Sequence, residues 1–187
     1  MAKRLLDFGL SLVAFLVLSP VMFLISFLVL VSSPGPILYW SSRVGRKNKI
    51  FKMPKFRTMR VGTPAVATDL LNDPEQWLTP IGSFLRKTSL DELPQLWSIV
   101  IGDMSFVGPR PALFNQYDLI DLRTKAGVEI LLPGLTGWAQ VHGRDNLSLA
   151  EKLSLDIEYL KKRSFLFDVY IISKTFWRIL DARSVSH

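Results

Sequence analysis

Lys87-Thr-Ser-Leu-Asp-Glu-Leu-Pro-Gln-Leu-Trp97 sets two adjacent carboxylates, Asp91 and Glu92, just after Arg86 and Lys87. Gly102-Asp-Met-Ser-Phe-Val-Gly-Pro-Arg-Pro111 follows closely and ends on an arginine, Arg110, between two prolines. The apolar spacing Leu93, Leu96, Trp97, Val100 predicts a helix with one buried face. Ser89-x-x-Glu92 fits a capping box with Ser89 as N-cap, but in that register Pro94 falls past the first turn and deletes a helical hydrogen bond. A helix starting at Asp91 instead puts Pro94 among residues whose N–H groups have no helical partner, and this register is favoured. Asp91 then sits at the positive end of a helix, where free N–H groups and the dipole favour anions. From spacing alone the two acids are either helix caps or parts of an anion-handling site, and the surroundings must decide.

Working outward, 187 residues give room for one domain with a substantial core. The net charge of +7 calls for an anionic partner: lipid headgroups, a phosphorylated substrate or nucleic acid. Cysteine is absent, which excludes disulfides and thiolate metal sites, and the two histidines, His142 and His187, are too few for a histidine-rich one. Any metal is therefore a hard, oxygen-bound ion, Mg²⁺ first. The mean hydropathy of +0.26 has a local source. Leu10 to Val31 runs 22 residues without a charge, about the length that crosses a hydrocarbon core. It is too long for the apolar part of a signal peptide and no small-residue cleavage site follows.

Ser19-Pro20 lies in the middle of this segment, and proline there predicts a bend, with the serine hydroxyl placed to satisfy a freed carbonyl. Lys3 and Arg4 precede the segment; Arg43, Arg46, Lys47, Lys49 and Lys52 follow it, so the flanks show no charge asymmetry. Two readings stand: a re-entrant helix-break-helix hairpin that enters and leaves by one face, and a kinked spanning helix. Residues 1–33 are read as this membrane segment and 34–187 as a membrane-associated domain of mixed α/β class. It is mostly helical, with short strands and interfacial amphipathic helices.

Ile37 to Trp40 and Ile50 to Met53 read as short strands about a turn at Gly45. Arg43 to Arg60 holds eight Lys/Arg and no acid, a face for solvent or lipid headgroups, within which alternation about Phe56 points Lys55 and Arg57 the same way. Residues 61–78 read as a surface loop, and Thr79-Pro80 as the start of a helix through Arg86. Met104 to Val107 is a short strand. Arg110 is either a phosphate-binding guanidinium stiffened by Pro109 and Pro111 or a structural arginine in a proline turn. A helix is expected over Pro111–Lys125. A glycine-punctuated loop over Pro133–Arg144 carries Gln140, His142 and Arg144. Ser148-x-x-Glu151 caps a helix to about Arg163, and Phe165–Leu180 is a helix suited either to a membrane interface or to a core. Nucleic acid is the weakest partner, because the basic run adjoins the apolar segment and no nucleic-acid motif accompanies it.

Ser19-Pro20, Lys55-Phe-Arg-Thr-Met59, Ser89-Leu-Asp-Glu-Leu-Pro-Gln95, Gly102–Pro111 and Pro133-Gly-Leu-Thr-Gly-Trp-Ala-Gln-Val141 together resemble, in order and over nearly the whole chain, the motifs of the monotopic phosphoglycosyl transferases, or bacterial sugar transferases. The resemblance implies transfer of a phospho-sugar from a UDP-sugar to polyprenyl (undecaprenyl) phosphate, initiating glycan assembly. It implies a re-entrant helix with both ends at the cytoplasmic face of the bacterial inner membrane. By motif match Asp91 is the nucleophile that forms a covalent phospho-sugar intermediate with loss of UMP. Asp91 and Glu92 are expected to form the catalytic pair and to hold Mg²⁺, with Glu92 either helping with the metal or positioning the acceptor phosphate. Lys55, Arg57, Arg86, Arg110, Gln140 and Arg144 are then expected to bind substrate. Larger family members carry further transmembrane helices ahead of this region, and the chain resembles the minimal catalytic module. Residues that discriminate the sugar are expected at 61–78 and 142–150. Two rival functions are a membrane-bound UDP-sugar hydrolase using Asp91 and a non-enzymatic basic scaffold at the membrane surface.

Overall fold

The computed structural model describes residues 2–64, 71, 73–143 and 146–180. Arg144 and His187 lie outside them, as do parts of the loops in which sugar-discriminating residues are expected. The architecture is mixed α/β and mostly helical. A long N-terminal helix, α1 (Ala2–Ser32), precedes an antiparallel hairpin of β1 (Leu38–Val44) and β2 (Ile50–Phe56). Helices α2 (Gly82–Lys87) and α3 (Gln95–Ile101) come next. Strand β3 (Ser105–Val107) pairs in parallel with β4 (Gly134–Thr136), and α4 (Tyr117–Lys125) lies between them in sequence. Helices α5 (Leu149–Lys162) and α6 (Phe165–Leu180) complete the described chain.

At 1.5 Å per residue α1 is about 46 Å long, and its most apolar 18 residues have a mean hydropathy of 2.7. One face forms a seam in which Asp7, Ser11, Ile25 and Val29 are buried and Ala14, Phe15, Leu18 and Met22 partly so. These recur every three or four residues, the spacing of a single helix face. The seam closes two of the three cores: Ile25 and Val29 pack with Phe56 and Leu85, while Ala14, Phe15 and Leu18 cover Met53, Leu96, Ile99 and Met104. The third core, Val107, Val128, Leu131, Val141, Tyr159 and Ile171, lies under α5 and α6. Away from the seam Leu5, Val13, Leu16, Val17, Phe23 and Phe27 are exposed, a continuous apolar surface of the kind that marks a membrane or partner contact.

Helical structure is continuous from Ala2 to Ser32, with Ser19-Pro20 inside it. Pro20 has no N–H for the carbonyl of Leu16, four residues back. Ser19 Oγ donates to that same carbonyl at 2.7 Å, so the bond lost to proline is replaced within the helix.

Both ends of α1 are fixed to the same body. Lys3 Nζ donates to the Val107 carbonyl (3.1 Å) and the Tyr159 hydroxyl (3.3 Å) and pairs with Asp168. Burial and the Asp168 bond hold the Tyr159 hydroxyl well above its ordinary pKa. Arg4 donates to the carbonyls of Ile99 and Val100 at the end of α3. Asp7 accepts from Ser105 Oγ (2.8 Å) and the Phe106 N–H (3.3 Å). At the other end Arg57 donates to the carbonyls of Ser33 and Pro34.

The remaining elements depart from sequence expectation where tertiary bonds compete. Thr79 does not cap α2; its N–H and hydroxyl go to the Thr58 carbonyl (2.9 and 3.3 Å), and the helix starts at Gly82. Helix α4 starts at Tyr117 rather than Pro111, because Ala112 accepts from Val44 N–H and Leu113 donates to Gln116 Oε1. In α3 the buried face is Gln95, Leu96, Ser98 and Ile99, and Trp97 stays 47% exposed beside Phe15. The Ser148–Glu151 capping box is formed as expected. On α6 Ile171 is buried, while Phe165, Leu166, Val169, Ile172, Phe176 and Trp177 are exposed, so this is a surface helix with an apolar outer side.

Candidate active site

Asp91 lies in a 3₁₀ turn, Leu90–Glu92, one turn ahead of α3. Ser89 turns the chain into it with a left-handed backbone (φ 56°, ψ 17°), and its side chain caps nothing, so the capping-box register is not adopted. The bonds from Glu92 N–H to Ser89, Leu93 to Leu90 and Trp97 to Pro94 all reach back three residues. Pro94 is the N-cap of α3, where a missing N–H removes no helical bond. The favoured register was therefore close: the acids do open a helical segment, but as a tighter 3₁₀ turn.

The turn presents both carboxylates to β2 and to the Pro109–Pro111 segment. Lys55 Nζ, on β2, is 2.8 Å from Glu92 Oε1 and 3.9 Å from Asp91 Oδ2. Arg110 Nη1 is 3.6 Å from Glu92 Oε1. Arg86 faces Asp91 electrostatically and is steadied by Nε donating to Thr58 Oγ1 at 3.0 Å. Asp91 is only 7% exposed, and among the described residues no hydrogen bond is donated to its carboxylate. Its pKa is raised, first by burial and also by Glu92, against the lowering effect of Lys55, Arg86 and Arg110. Burial likewise lowers the Arg86 pKa, with Asp91 opposing. The outcome is a buried carboxylate of raised basicity walled by three cations, an arrangement that can act as a nucleophile towards an anionic group attracted by those cations.

Arg110 is held more tightly than its prolines alone require. Gly108 N–H donates to Thr136 (3.0 Å) and Gly134 N–H to Pro109 (2.9 Å). Arg123 Nη1 donates to the Arg110 carbonyl (2.8 Å), Arg43 Nη1 to that of Pro111 (3.1 Å) and Val44 N–H to that of Ala112 (2.9 Å). A Cβ on Gly108 would lie 2.2 Å from the Leu132 carbonyl oxygen, so glycine permits this close approach.

Lys55, Arg86, Asp91, Glu92 and Arg110 thus converge as expected from sequence. Arg57 does not join them: β2 ends at Phe56, the alternation lapses, and Arg57 is buried against the carbonyls that close α1. Gln140 is also buried, its Nε2 donating to the Leu135 carbonyl at 3.0 Å beneath β4. Sequence reasoning missed Thr58, Arg123, Asp156 and Gln95. Gln95 follows Asp91 by one helical turn, is 3% exposed and has an Nε2 without a partner among the described residues. Its i+4 spacing from Asp91 was the available signal.

Among the described residues no cluster of three or more His, Cys, Asp or Glu side chains can cage a metal. Mg²⁺ does not need one: it is commonly held by one or two carboxylates, with waters and substrate phosphates completing its shell. The Asp91 carboxylate, which accepts no hydrogen bond among the described residues, suits that role. Glu92 already faces Lys55 and Arg110 and is the weaker candidate.

A buried carboxylate walled by lysine and arginine, on a domain closed by a helix long and apolar enough to cross a membrane, makes a site suited to anions beside an apolar surface consistent with membrane association. The chain belongs to the bacterial sugar transferase family, whose profile matches residues 1–182. It is 40% identical over 190 residues to the UDP-glucose:undecaprenyl-phosphate glucose-1-phosphate transferase of Escherichia coli (strain K12), aligning 94% of this chain with 39% of that protein. It is 38% identical over 192 residues to the exopolysaccharide production protein ExoY of Sinorhizobium fredii (strain NBRC 101917 / NGR234), covering 93% of this chain and 83% of that one. The UDP-N-acetylgalactosamine-undecaprenyl-phosphate N-acetylgalactosaminephosphotransferase of Aeromonas hydrophila is 35% identical over 183 residues, 95% of this chain and 43% of its own. The chain therefore spans about two-fifths of the first and third relatives and over four-fifths of ExoY.

Proposed function

We propose that this protein is a phosphoglycosyl transferase that moves a sugar 1-phosphate from a UDP-sugar to polyprenyl phosphate through a covalent intermediate on Asp91. The observation that carries this is Asp91 itself: buried, without hydrogen bonds among the described residues, raised in basicity and faced by Lys55, Arg86 and Arg110. In the first step an Asp91 carboxylate oxygen attacks the β-phosphorus of the UDP-sugar. The bond from that phosphorus to the bridging oxygen breaks, and UMP leaves with the oxygen and its electron pair. In the second step a phosphate oxygen of polyprenyl phosphate attacks the same phosphorus and expels the Asp91 carboxylate, giving a polyprenyl diphosphate sugar. No proton needs to move in either displacement, so the protein's task is to offset the repulsion between anions. Lys55 and Arg110, both against Glu92, and Arg86, whose charge acts on Asp91, do this. Mg²⁺, held by Asp91 with Glu92 as the second candidate ligand, would supply further neutralisation of phosphate charge.

The same reading places α1 in one leaflet of the inner membrane, both ends at the cytoplasmic face, with its exposed apolar side in lipid. This needs no break at Pro20, and the support is that Lys3 and Arg4 at one end and Ser33 and Pro34 at the other bind one body. The outer side of α6 would rest on the same interface, bringing Asp91 to the depth of a lipid phosphate.

Intact-protein mass spectrometry with UDP-sugar alone tests the chemistry. The expected result is a gain of one phospho-sugar with stoichiometric UMP, absent in Asp91→Asn. An adduct that persists in Asp91→Asn sinks the assignment. Free sugar phosphate, with no lipid-linked product on adding polyprenyl phosphate, would mark a hydrolase instead.

A further inference from the structure

We infer that the buried pair Arg123–Asp156, outside every motif read from the sequence, positions Arg110 at the reacting phosphate by holding the backbone on its C-terminal side. The inference rests on the transferase reading above. Arg123, on α4, uses all three guanidinium nitrogens. Nε and Nη2 donate to Asp156 Oδ2 at 2.9 and 2.6 Å, and Nη1 donates to the Arg110 carbonyl at 2.8 Å. A guanidinium is planar, so fixing one edge on α5 fixes where the other edge points.

The direction in which Arg110 leaves the backbone depends on the two peptide planes that meet at its Cα. The plane before it carries the Pro109 carbonyl, which accepts from Gly134 N–H at 2.9 Å. The plane after it, Arg110–Pro111, has no N–H, because Pro111 supplies its nitrogen. Its carbonyl is the only polar handle on that plane, and Arg123 holds it. With both planes pinned the Cα–Cβ vector is set, and the guanidinium arrives 3.6 Å from Glu92.

Burial argues the same way. Asp156 is 1% exposed, and its carboxylate pKa is raised by burial against the pull of Arg123. A buried ion pair is poor evidence of a stability gain, since well-packed apolar residues of similar size serve packing as well or better. An arginine whose free edge meets the one carbonyl beside a site arginine is explained by geometry instead. Arg123 and Asp156 are positioning residues, not catalytic ones, since their ion pair and hydrogen bonds go to each other and to the Arg110 carbonyl rather than to Asp91 or Glu92.

The pair is tested on the full-length protein in lipid or detergent by single-turnover adduct formation and by steady-state UMP release. Asp156→Asn, and the apolar replacement Arg123→Met/Asp156→Leu, are each expected to lower the adduct-forming rate about 10- to 100-fold, the scale of a misplacement of about 1 Å. Melting temperature should stay near wild type for the apolar pair. In an Arg110→Ala background the same changes should cost less than about twofold further, because the residue they serve is gone. Full activity in the Arg123→Met/Asp156→Leu protein, or losses that multiply fully with Arg110→Ala, would overturn the inference while leaving the transferase reading intact. Wild-type protein that releases no UMP from any UDP-sugar overturns both.

Discussion

At the scale of single residues, the cost of the site is concentrated in Asp91. Its folded pKa is raised, chiefly by burial, so the ionised form is disfavoured by folding and its stabilising contribution is full only below the unfolded value of about 3.9. That contribution is lost as pH rises through the folded pKa. Asp91→Asn should therefore melt higher than wild type at pH 7, with the gain vanishing below about pH 4, while forming no adduct; thermal unfolding across pH measures this. The same shift requires the acid limb of the adduct-forming rate to lie above the ordinary aspartate range, and a limb at or below about pH 4 would contradict it. Lys55 and Arg57 give a second contrast. Lys55→Met should lower the rate about 10²- to 10³-fold in the folded fraction, the usual cost of one preorganised charge-stabilising donor. Arg57→Met should leave adduct chemistry close to wild type in the folded fraction but cost about 1–3 kcal/mol of stability by unpairing the Ser33 and Pro34 carbonyls. Alternation assigned both residues the same direction, because it says which side a strand residue takes but not where the strand ends. Arg123 and Asp156 were invisible for a related reason: 33 residues separate them, and only the packing of α4 on α5 makes them a pair.

At the scale of elements, periodicity and capping located α5, α6 and the β1–β2 hairpin well, since their signals are local. The starts of α2 and α4 were misjudged, because Thr79 and Ala112 bind Thr58 and Val44, partners remote in sequence. Helix α1 shows the interplay most clearly. Its apolar run and the use of Ser19 to satisfy a freed carbonyl were legible, and that hydroxyl, at 2.7 Å from the Leu16 carbonyl, carries helical structure past Pro20. The compensation predicts a coupling. Ser19→Ala should destabilise the protein by about 1 kcal/mol in lipid or detergent, and by close to nothing when Pro20→Ala has restored the backbone N–H. In water the carbonyl of Leu16 would be solvated, so the coupling also reports that this face lies in an apolar medium. Thermal unfolding of the four proteins of the cycle measures it, and equal costs of Ser19→Ala in both backgrounds would rule it out.

At the scale of the whole molecule, the apolar surface, the anchors of α1 and the site must be satisfied by one orientation. A spanning helix would place its two ends about 30 Å apart across hydrocarbon, with one end drawn away from the catalytic body. Here Lys3, Arg4 and Asp7 bind β3, the end of α3 and the α5–α6 corner, while Ile25, Val29 and the Ser33–Pro34 carbonyls bind β2 and its continuation. Carrying the N-terminal end across the bilayer would strip Lys3, Arg4 and Asp7 of these partners and take their charges through hydrocarbon, each costing several kcal/mol. The exposed sides of α1 and α6 can instead meet lipid together while the basic hairpin between Arg43 and Lys52 meets headgroups. The absence of cysteine makes the arrangement directly measurable, because any introduced thiol is unique. Ala2→Cys and Lys49→Cys, at exposed positions at the start of α1 and beyond its end, are expected to react with a membrane-impermeant maleimide in inverted inner-membrane vesicles and to be protected in sealed right-side-out ones. Opposite protection of the two positions would show that α1 spans the membrane, and would remove the geometric basis for bringing Asp91 to the lipid phosphate.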